Sequence, residues 1–165
     1  SKPEILDLVS LFIGPDVYLH SSKMLYKTPK CARRKPFHQD LAYWEDMDDP
    51  QVTLWAAISP AHRKNGCMEA ISGSHRNGLI PHLDQLDWQI DESLFQENEI
   101  SVLEMEAGDL LFLSPLLIHA SRENCSDDDR LAAIINYYSC PPSLKHTSGY
   151  INPLPLRKGG KDVAL

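Results

Sequence analysis

The sequence lacks the features that mark zinc-ribbon, redox and membrane-spanning proteins. Its four cysteines include no CxxC pair, which argues against a zinc ribbon or a thioredoxin-like motif. No apolar run reaches the ~18 residues of a membrane-crossing helix, and no signal peptide is visible. Scattered cysteines are typical of a reducing compartment, so we expect a cytoplasmic protein.

Basic residues are also scarce, with 16 Lys and Arg against 23 Asp and Glu and a formal net charge of −7. A protein that holds nucleic-acid phosphates needs a basic face. The single basic cluster, KCARRK at 30–35, is short and is interpreted as a solvated loop. We therefore expect a small-molecule substrate and neither a nucleic acid nor a membrane as partner, while the oligomeric state is left open.

The sequence does contain many short stretches in which apolar and polar residues alternate. A helix is predicted first, over residues 3–13, with Pro3 in its first turn and Gly14 as its stop signal. Period-two alternation then predicts eight strands. The predicted strands span residues 17–27, 37–44, 52–59, 67–72, 100–105, 110–114, 116–121 and 130–139. Residues 83–99 indicate an insertion loop or a short helix, and the tail from Pro141 an irregular segment.

Eight short strands with little helix between them predict a mainly β fold. The favoured architecture is a double-stranded β-helix, a jelly roll or cupin-like core, with a few flanking helices. An immunoglobulin-type sandwich is the alternative, but its Cys…Trp…Cys spacing is missing. We expect one domain over residues 1–165. Because the chain starts without methionine, we also expect that N-terminal flanking segments or disordered loops are missing from it.

The stretch FHQDLAYW contains two polar side chains, His38 and Asp40, in an apolar and aromatic run. Residues two apart on one strand point to the same side of a sheet. Iron(II) sites of the oxygenase type need two imidazoles and one carboxylate on one face. His119 is the best third ligand, because it lies in the apolar run SPLLIHAS. Alone, each signal is weak: an HxD occurs by chance, and an isolated His119 is more often a core residue.

Arg130, eleven residues after His119, strengthens this interpretation. At the start of a strand, a buried arginine could bind a carboxylate through a bidentate fork, and Ser121 on the face of His119 could add a hydroxyl. The alternative for Arg130 is an ion pair with the acidic residues at 127–129.

Taken together, these motifs resemble one known family. FHQDLAYW at 37–44, VTLWAAISPAHRKNGCMEAISGSHRNG at 52–78, EAGDLLFLSPLLIHASREN at 106–124 and then Arg130 are similar to the phytanoyl-CoA dioxygenase family of Fe(II)/2-oxoglutarate oxygenases. The likeness extends over roughly residues 17–140. It implies a jelly-roll core.

The resemblance also implies a set of site residues. It makes His38, Asp40 and His119 the iron ligands, and it assigns Arg130 and Ser121 to the distal carboxylate of 2-oxoglutarate. Four further residues are expected at the cosubstrate pocket: Trp55, His75, Lys27 and Gln39. Without the resemblance, Trp55 is a core residue, His75 a turn residue, Lys27 a solvated lysine at a strand end and Gln39 an outward-facing amide.

The activity that this resemblance implies is hydroxylation of a small organic molecule by an Fe(II)/2-oxoglutarate-dependent dioxygenase. Its cosubstrates are 2-oxoglutarate, which becomes succinate and CO2, and O2. The carboxylate of Asp40 favours hydroxylation, since halogenating relatives have Gly or Ala at that position. Two alternatives stay open: a cupin-like zinc or manganese hydrolase or isomerase, and a catalytically silent jelly-roll binding module. Members of the family are usually longer at the N-terminus, and residues 81–100 match no known motif.

Overall fold

The computed structural model describes residues 2–30, 33–44, 50–85, 87–139 and 154–164, which form mainly antiparallel strands. Among these residues the one α-helix is α1 (Pro3–Ile13). The strands are β1 (Val17–Lys27), β2 (Lys35–His38), β3 (Gln51–Ala57), β4 (Met68–Ile71), β5 (Leu83–Asp84), β6 (Trp88–Gln89), β7 (Ile100–Leu103), β8 (Leu110–Leu113), β9 (His119–Ser121), β10 (Arg130–Tyr138), β11 (Leu154–Lys158) and β12 (Lys161–Asp162). The prediction of a mainly β fold is confirmed.

Two sheets make up the β core. The large sheet has six strands in the order β12-β11-β1-β10-β3-β8, and the small sheet has four in the order β2-β9-β4-β7. Strands β5 and β6 form a separate hairpin. Apart from the pair β11 and β12, neighbours in the sheets are distant in sequence, and the paired strands run antiparallel, as the jelly roll requires.

Helix α1 packs on the outer face of the large sheet. Pro3 suits its first turn, and the amide of Gly14 closes its end on the Ser10 carbonyl oxygen at 3.0 Å. Its apolar side chains face β3, where Val52 and Leu54 are buried in the same cluster. The alternate residues of β3 therefore point the other way, into the space between the sheets. The predicted helix at 3–13 is confirmed.

The strand predicted at 37–44 is shorter in the structure. Strand β2 ends at His38, and Asp40–Tyr43 form a 3-10 turn. The chain turns here because the Leu41 amide donates to the Pro115 carbonyl oxygen at 3.0 Å instead of continuing the pairing with β9. His38 and Asp40 are therefore not on one strand, and that part of the prediction is wrong.

The C-terminal tail is also more regular than predicted. Strand β11 pairs with β1, and β11 and β12 form a hairpin around Gly159 and Gly160, both with positive φ. The remainder of the tail at 141–153 lies outside the described residues, as do residues 31 and 32 of the predicted solvated loop at 30–35. Within the described part of the chain, no helix has the length and apolarity to cross a membrane.

Candidate active site

Two histidines face each other at the open end of the small sheet. His38 is the last residue of β2 and His119 is the first residue of β9, and the two are direct partners in the antiparallel register. Asp40 follows at the start of the 3-10 turn, and its Oδ1 lies 3.6 Å from Nε2 of His38 and 3.7 Å from Nε2 of His119. The structure thus brings the three predicted ligands together, with one donor atom from each within 4.8 Å of the others.

The backbone fixes which nitrogen of each imidazole faces the cluster. Nδ1 of His38 lies 2.8 Å from the Pro36 carbonyl oxygen, and Nδ1 of His119 lies 2.9 Å from the Leu117 carbonyl oxygen. A carbonyl oxygen only accepts, so each Nδ1 carries the proton and each Nε2 presents a lone pair. This tautomer and orientation are those of a metal-ligating histidine. The donor set therefore fits a divalent transition metal.

The ionisation states of Asp40 and His119 also suit metal binding. Burial opposes ionisation of Asp40, but interaction with the His38 and His119 imidazoles outweighs it and lowers the pKa of Asp40 to about 2. Burial, with the charge of His38, lowers the pKa of His119. At neutral pH the carboxylate is ionised and the His119 imidazole neutral, which are the forms that bind metals.

A second polar group lies across the cavity on the large sheet. Arg130, the first residue of β10, is 2% exposed, and its Nε and Nη1 have no hydrogen-bond partner among the residues that the structure describes. Its guanidinium carbon lies 5.6 Å from the centroid of the Trp55 ring. The ion pair with residues 127–129 that the sequence left open is not present among the described contacts of Arg130. Buried donors of this kind call for an anionic ligand.

Lys27 is a second buried cation beside Arg130. The two are register partners on β1 and β10. The ammonium of Lys27 donates to the carbonyl oxygens of Arg33 at 3.1 Å, of Ser121 at 3.3 Å, and of Arg122. Burial and the charge of Arg130 lower the pKa of Lys27 to about 8, and burial lowers the pKa of Arg130 to about 10. Two adjacent buried cations make a strongly positive pocket wall.

A cavity of about 500 Å³ joins the two groups. The predicted residues Lys27, Trp55, Ser121 and Arg130 line it together with the His38–Asp40–His119 cluster, and so do the aromatic side chains Tyr43 and Trp44. Among the described residues, Asp40 is the only acidic side chain in the lining.

Gln39 and His75, also predicted at the cosubstrate pocket, do not line this cavity. The Gln39 amide donates to the carbonyl oxygens of Gly78 at 2.8 Å and Leu116 at 2.7 Å and accepts from the Ile80 amide at 2.9 Å, so its polar atoms are already used. His75 is exposed in a 3-10 turn. The geometry gives no support to a cosubstrate contact for either residue.

Thr53 belongs to the site and was not predicted. Its hydroxyl lies 3.3 Å from Oδ2 of Asp40. A signal was present in the sequence, because Thr53 lies two residues before Trp55 and therefore on the same face of its strand.

Similarity to known proteins agrees with this geometry. The chain matches the family model "Phytanoyl-CoA dioxygenase (PhyH)" over residues 1–132. It belongs to the phytanoyl-CoA dioxygenase family. It is 35% identical over 149 residues to the peroxisomal phytanoyl-CoA dioxygenase of Homo sapiens, which covers 83% of this chain and 44% of the relative. The chain thus spans less than half the length of this relative.

Solved structures show the same fold as this family member. The non-heme monooxygenase ThoJ in its apo form matches with a TM-score of 0.79 and 25% identity, over 98% of this chain and 61% of that one. EvdO2 from Micromonospora carbonacea var. aurantiaca, complexed with 2-oxoglutarate, matches with a TM-score of 0.71 and 20% identity, over 84% of this chain and 63% of that one. The predicted jelly roll and the family resemblance are both confirmed.

Proposed function

We propose that this chain forms the catalytic core of an Fe(II)/2-oxoglutarate-dependent dioxygenase that hydroxylates a small organic molecule. The observation that carries the proposal is the pairing of two groups across one cavity. One is a His-Asp-His cluster with its Nε2 lone pairs turned inward, and the other is a buried arginine with unpartnered donors. The first fits a metal, and the second fits the far carboxylate of a dianionic cosubstrate.

The protein's part in this proposal begins with holding the metal. His38, Asp40 and His119 would bind iron(II), and three protein ligands leave coordination positions open for other molecules. When bound, iron(II), 2-oxoglutarate and O2 supply the oxidising chemistry that yields succinate, CO2 and the hydroxylated product. The backbone contacts of both Nδ1 atoms fix the imidazoles before the metal arrives.

The large sheet would orient the cosubstrate. Arg130 offers two donors that have no partner among the described residues to one carboxylate, and Ser121, which lines the same cavity from β9 of the small sheet, would add a hydroxyl. The ammonium protons of Lys27 are directed to backbone carbonyl oxygens. Lys27 would therefore attract the cosubstrate through its positive charge and not through a direct hydrogen bond. The Trp55 ring lies next to the guanidinium and would help to exclude water from it.

The apolar part of the cavity is the space left for the organic substrate. Leu25, Tyr43, Trp44 and Ile134 line it, and these side chains suit a small organic molecule better than a nucleic acid. We further propose that residues 1–165 act as a single domain and that the protein works in the cytoplasm, the compartment that its scattered cysteines favour.

The unpartnered donors of Arg130 also weigh against the two rival functions. A zinc or manganese hydrolase or isomerase of the cupin type would use the same three ligands but needs no buried cation opposite them. A silent binding module would need neither group, and in this chain both are intact.

One titration tests the proposed function. Fe(II) is added anaerobically to the purified chain, followed by 2-oxoglutarate, and a weak visible absorption band should appear. Admission of O2 should then give succinate and CO2 in equal amounts. A folded protein that binds Fe(II) but shows neither band nor succinate contradicts the proposal and favours the hydrolase. A folded protein that binds no metal favours the silent module.

A further inference from the structure

The two carboxylate oxygens of Asp40 have different surroundings. Oδ1 faces both imidazoles, at 3.6 Å from His38 Nε2 and 3.7 Å from His119 Nε2. Oδ2 points towards the large sheet and lies 3.3 Å from the hydroxyl oxygen of Thr53. One oxygen is therefore directed to the proposed metal position, and the other is held by the protein.

The contact with Thr53 is the end of a buried polar row that crosses three strands. Oγ1 of Thr53 lies 2.9 Å from Oδ1 of Asn136, and Nδ2 of Asn136 lies 2.7 Å from Oγ of Ser21. The three residues are direct register partners on β3, β10 and β1. Thr53 is 1% exposed and Asn136 is 3% exposed. A buried polar row of this kind is costly unless each donor and acceptor is matched.

Counting protons gives the row a direction. The Thr53 hydroxyl has one proton and two acceptors beside it, Asp40 Oδ2 and Asn136 Oδ1. An ionised carboxylate only accepts, and among the described contacts Thr53 is the one side-chain donor to Oδ2. The Thr53 hydroxyl therefore donates its hydrogen bond to Asp40 Oδ2 and not to Asn136.

The amide of Asn136 then completes the row. Exchanging its oxygen and nitrogen by a half-turn leaves its shape unchanged, and the two atoms are assigned from their hydrogen bonds. With the half-turn, the NH2 group of Asn136 donates to Thr53, and its oxygen accepts the hydroxyl proton of Ser21. Each member then donates in one direction, from Ser21 through Asn136 and Thr53 to Asp40, and no proton is contested.

We propose that Thr53, oriented by Asn136 and Ser21, is a positioning residue that holds Asp40 Oδ2 so that only Oδ1 is offered to the metal. This inference rests on the proposed function, since it concerns how the same cluster binds iron(II). Without the Thr53 hydroxyl, the carboxylate is free to rotate and to present both oxygens. A carboxylate that binds through both oxygens occupies one more coordination position, which the cosubstrate needs.

The test compares two substitutions of one side chain, with Co²⁺ as an oxygen-stable metal probe. Thr53→Val keeps the shape and removes the hydroxyl, while Thr53→Ser keeps the hydroxyl. Affinity is measured by calorimetry, and the visible spectrum of bound Co²⁺ reports its coordination. We expect Thr53→Val to change the spectrum and to weaken Co²⁺ binding by about 10–100-fold, and Thr53→Ser to keep both close to wild type.

Thr28→Val is the matched control, because Thr28 also lines the cavity but has no described contact with Asp40. It should leave the affinity and the spectrum unchanged. The inference is overturned if Thr53→Val binds Co²⁺ with the wild-type affinity and spectrum, or if Thr53→Ser is as impaired as Thr53→Val. Thermal unfolding of the metal-free proteins shows whether each variant is folded. A folded wild-type chain that binds no Co²⁺ overturns the proposed function itself, and the positioning role with it.

Discussion

The two sheets contribute opposite kinds of polar group to one cavity. The small sheet provides acceptors: the Nε2 lone pairs of His38 and His119, whose Nδ1 atoms are already bonded to the backbone. The large sheet provides cations: the guanidinium of Arg130, with two nitrogens unpartnered among the described residues, and the ammonium of Lys27 beside it. The metal half of the site is thus arranged by the chain itself, whereas the anion half is incomplete without a ligand.

This difference follows from how each half is held. An imidazole bonded to the carbonyl oxygen two residues before it is fixed by local geometry. A buried guanidinium with unpartnered donors has lost its hydration, which costs free energy, and a bound anion offsets this desolvation cost. We therefore expect variants of the small sheet to lose metal, and variants of the large sheet to lose the cosubstrate while they keep the metal.

The largest effect is expected from His38→Ala. Removal of one of three ligands should weaken Co²⁺ or Fe²⁺ binding by more than about 100-fold, because the loss of even an outer partner of a ligand typically costs 10–100-fold. Calorimetric titration with Co²⁺ measures it directly. His75→Ala is the control, since His75 is exposed and lies outside the cavity. Equal losses in the two variants would show that the cluster is not the metal site.

Arg130→Met should have the next largest effect, and it should act on the anion half of the site by weakening the binding of 2-oxoglutarate. Two charge-assisted hydrogen bonds to a carboxylate are lost, so the Kd of 2-oxoglutarate for the Co²⁺-loaded protein should rise about 100-fold. Co²⁺ affinity should stay at the wild-type value. The ligand-free variant should unfold at no lower temperature, because an unpaired buried charge has been removed.

Arg122→Met is the matched control for this arginine. The Arg122 side chain is about half exposed and pairs with Glu69 at 2.6 Å on the outer side of the small sheet. It should leave the affinity for 2-oxoglutarate unchanged. If both variants weaken 2-oxoglutarate alike, general charge rather than the Arg130 contact would be responsible.

The metal half could be predicted from the sequence because its signals are local. The HxD motif places two side chains that can bind a metal within three residues, and His119 is a polar residue in an apolar run. Arg130 and Trp55 needed the family resemblance, since a strand-start arginine and a core tryptophan have commoner explanations. The expectation for Gln39 came from the resemblance, whereas alternation along β2 turns its side chain away from that of His38, and in the structure its amide bonds to Gly78, Leu116 and Ile80.

The Thr53 row and the C-terminal hairpin were missed for different reasons. Thr53, Asn136 and Ser21 are neighbours only through the registers of β1, β10 and β3, which no local pattern encodes. The hairpin had a local signal, the Gly-Gly pair at 159–160, but Pro155 interrupts the alternation that marks a strand. The register between distant strands is set by packing of the whole domain, and it is therefore harder to predict from the sequence than a local motif.

Gly66→Ala should reduce stability by an intermediate amount, because Gly66 lies where the two halves meet. Its φ is +83°, and an added Cβ would lie 2.9 Å from Cδ of Lys27 and closer still to the Arg122 carbonyl oxygen. We expect about 2 kcal/mol less stability to unfolding in urea. Gly73→Ala is the control: the φ of Gly73 is +81°, and no described residue lies within 4 Å of an added Cβ, so only the conformational cost should be measured. Equal losses would mean that the contact at Gly66 is unimportant.

The smallest effect concerns the pH dependence of the anion half. Burial and Arg130 lower the pKa of Lys27 to about 8, so its ammonium is lost as the pH rises through that value. Affinity of the Co²⁺-loaded protein for 2-oxoglutarate should then fall, by roughly fivefold for about 1 kcal/mol of lost attraction. Because the folded-state pKa lies below the ordinary 10.5, the ligand-free protein should become more stable over the same rise in pH. The two trends have opposite signs, and Lys27→Met, measured in the same buffers, should remove both; persistence of the affinity step in that variant would assign it to another group.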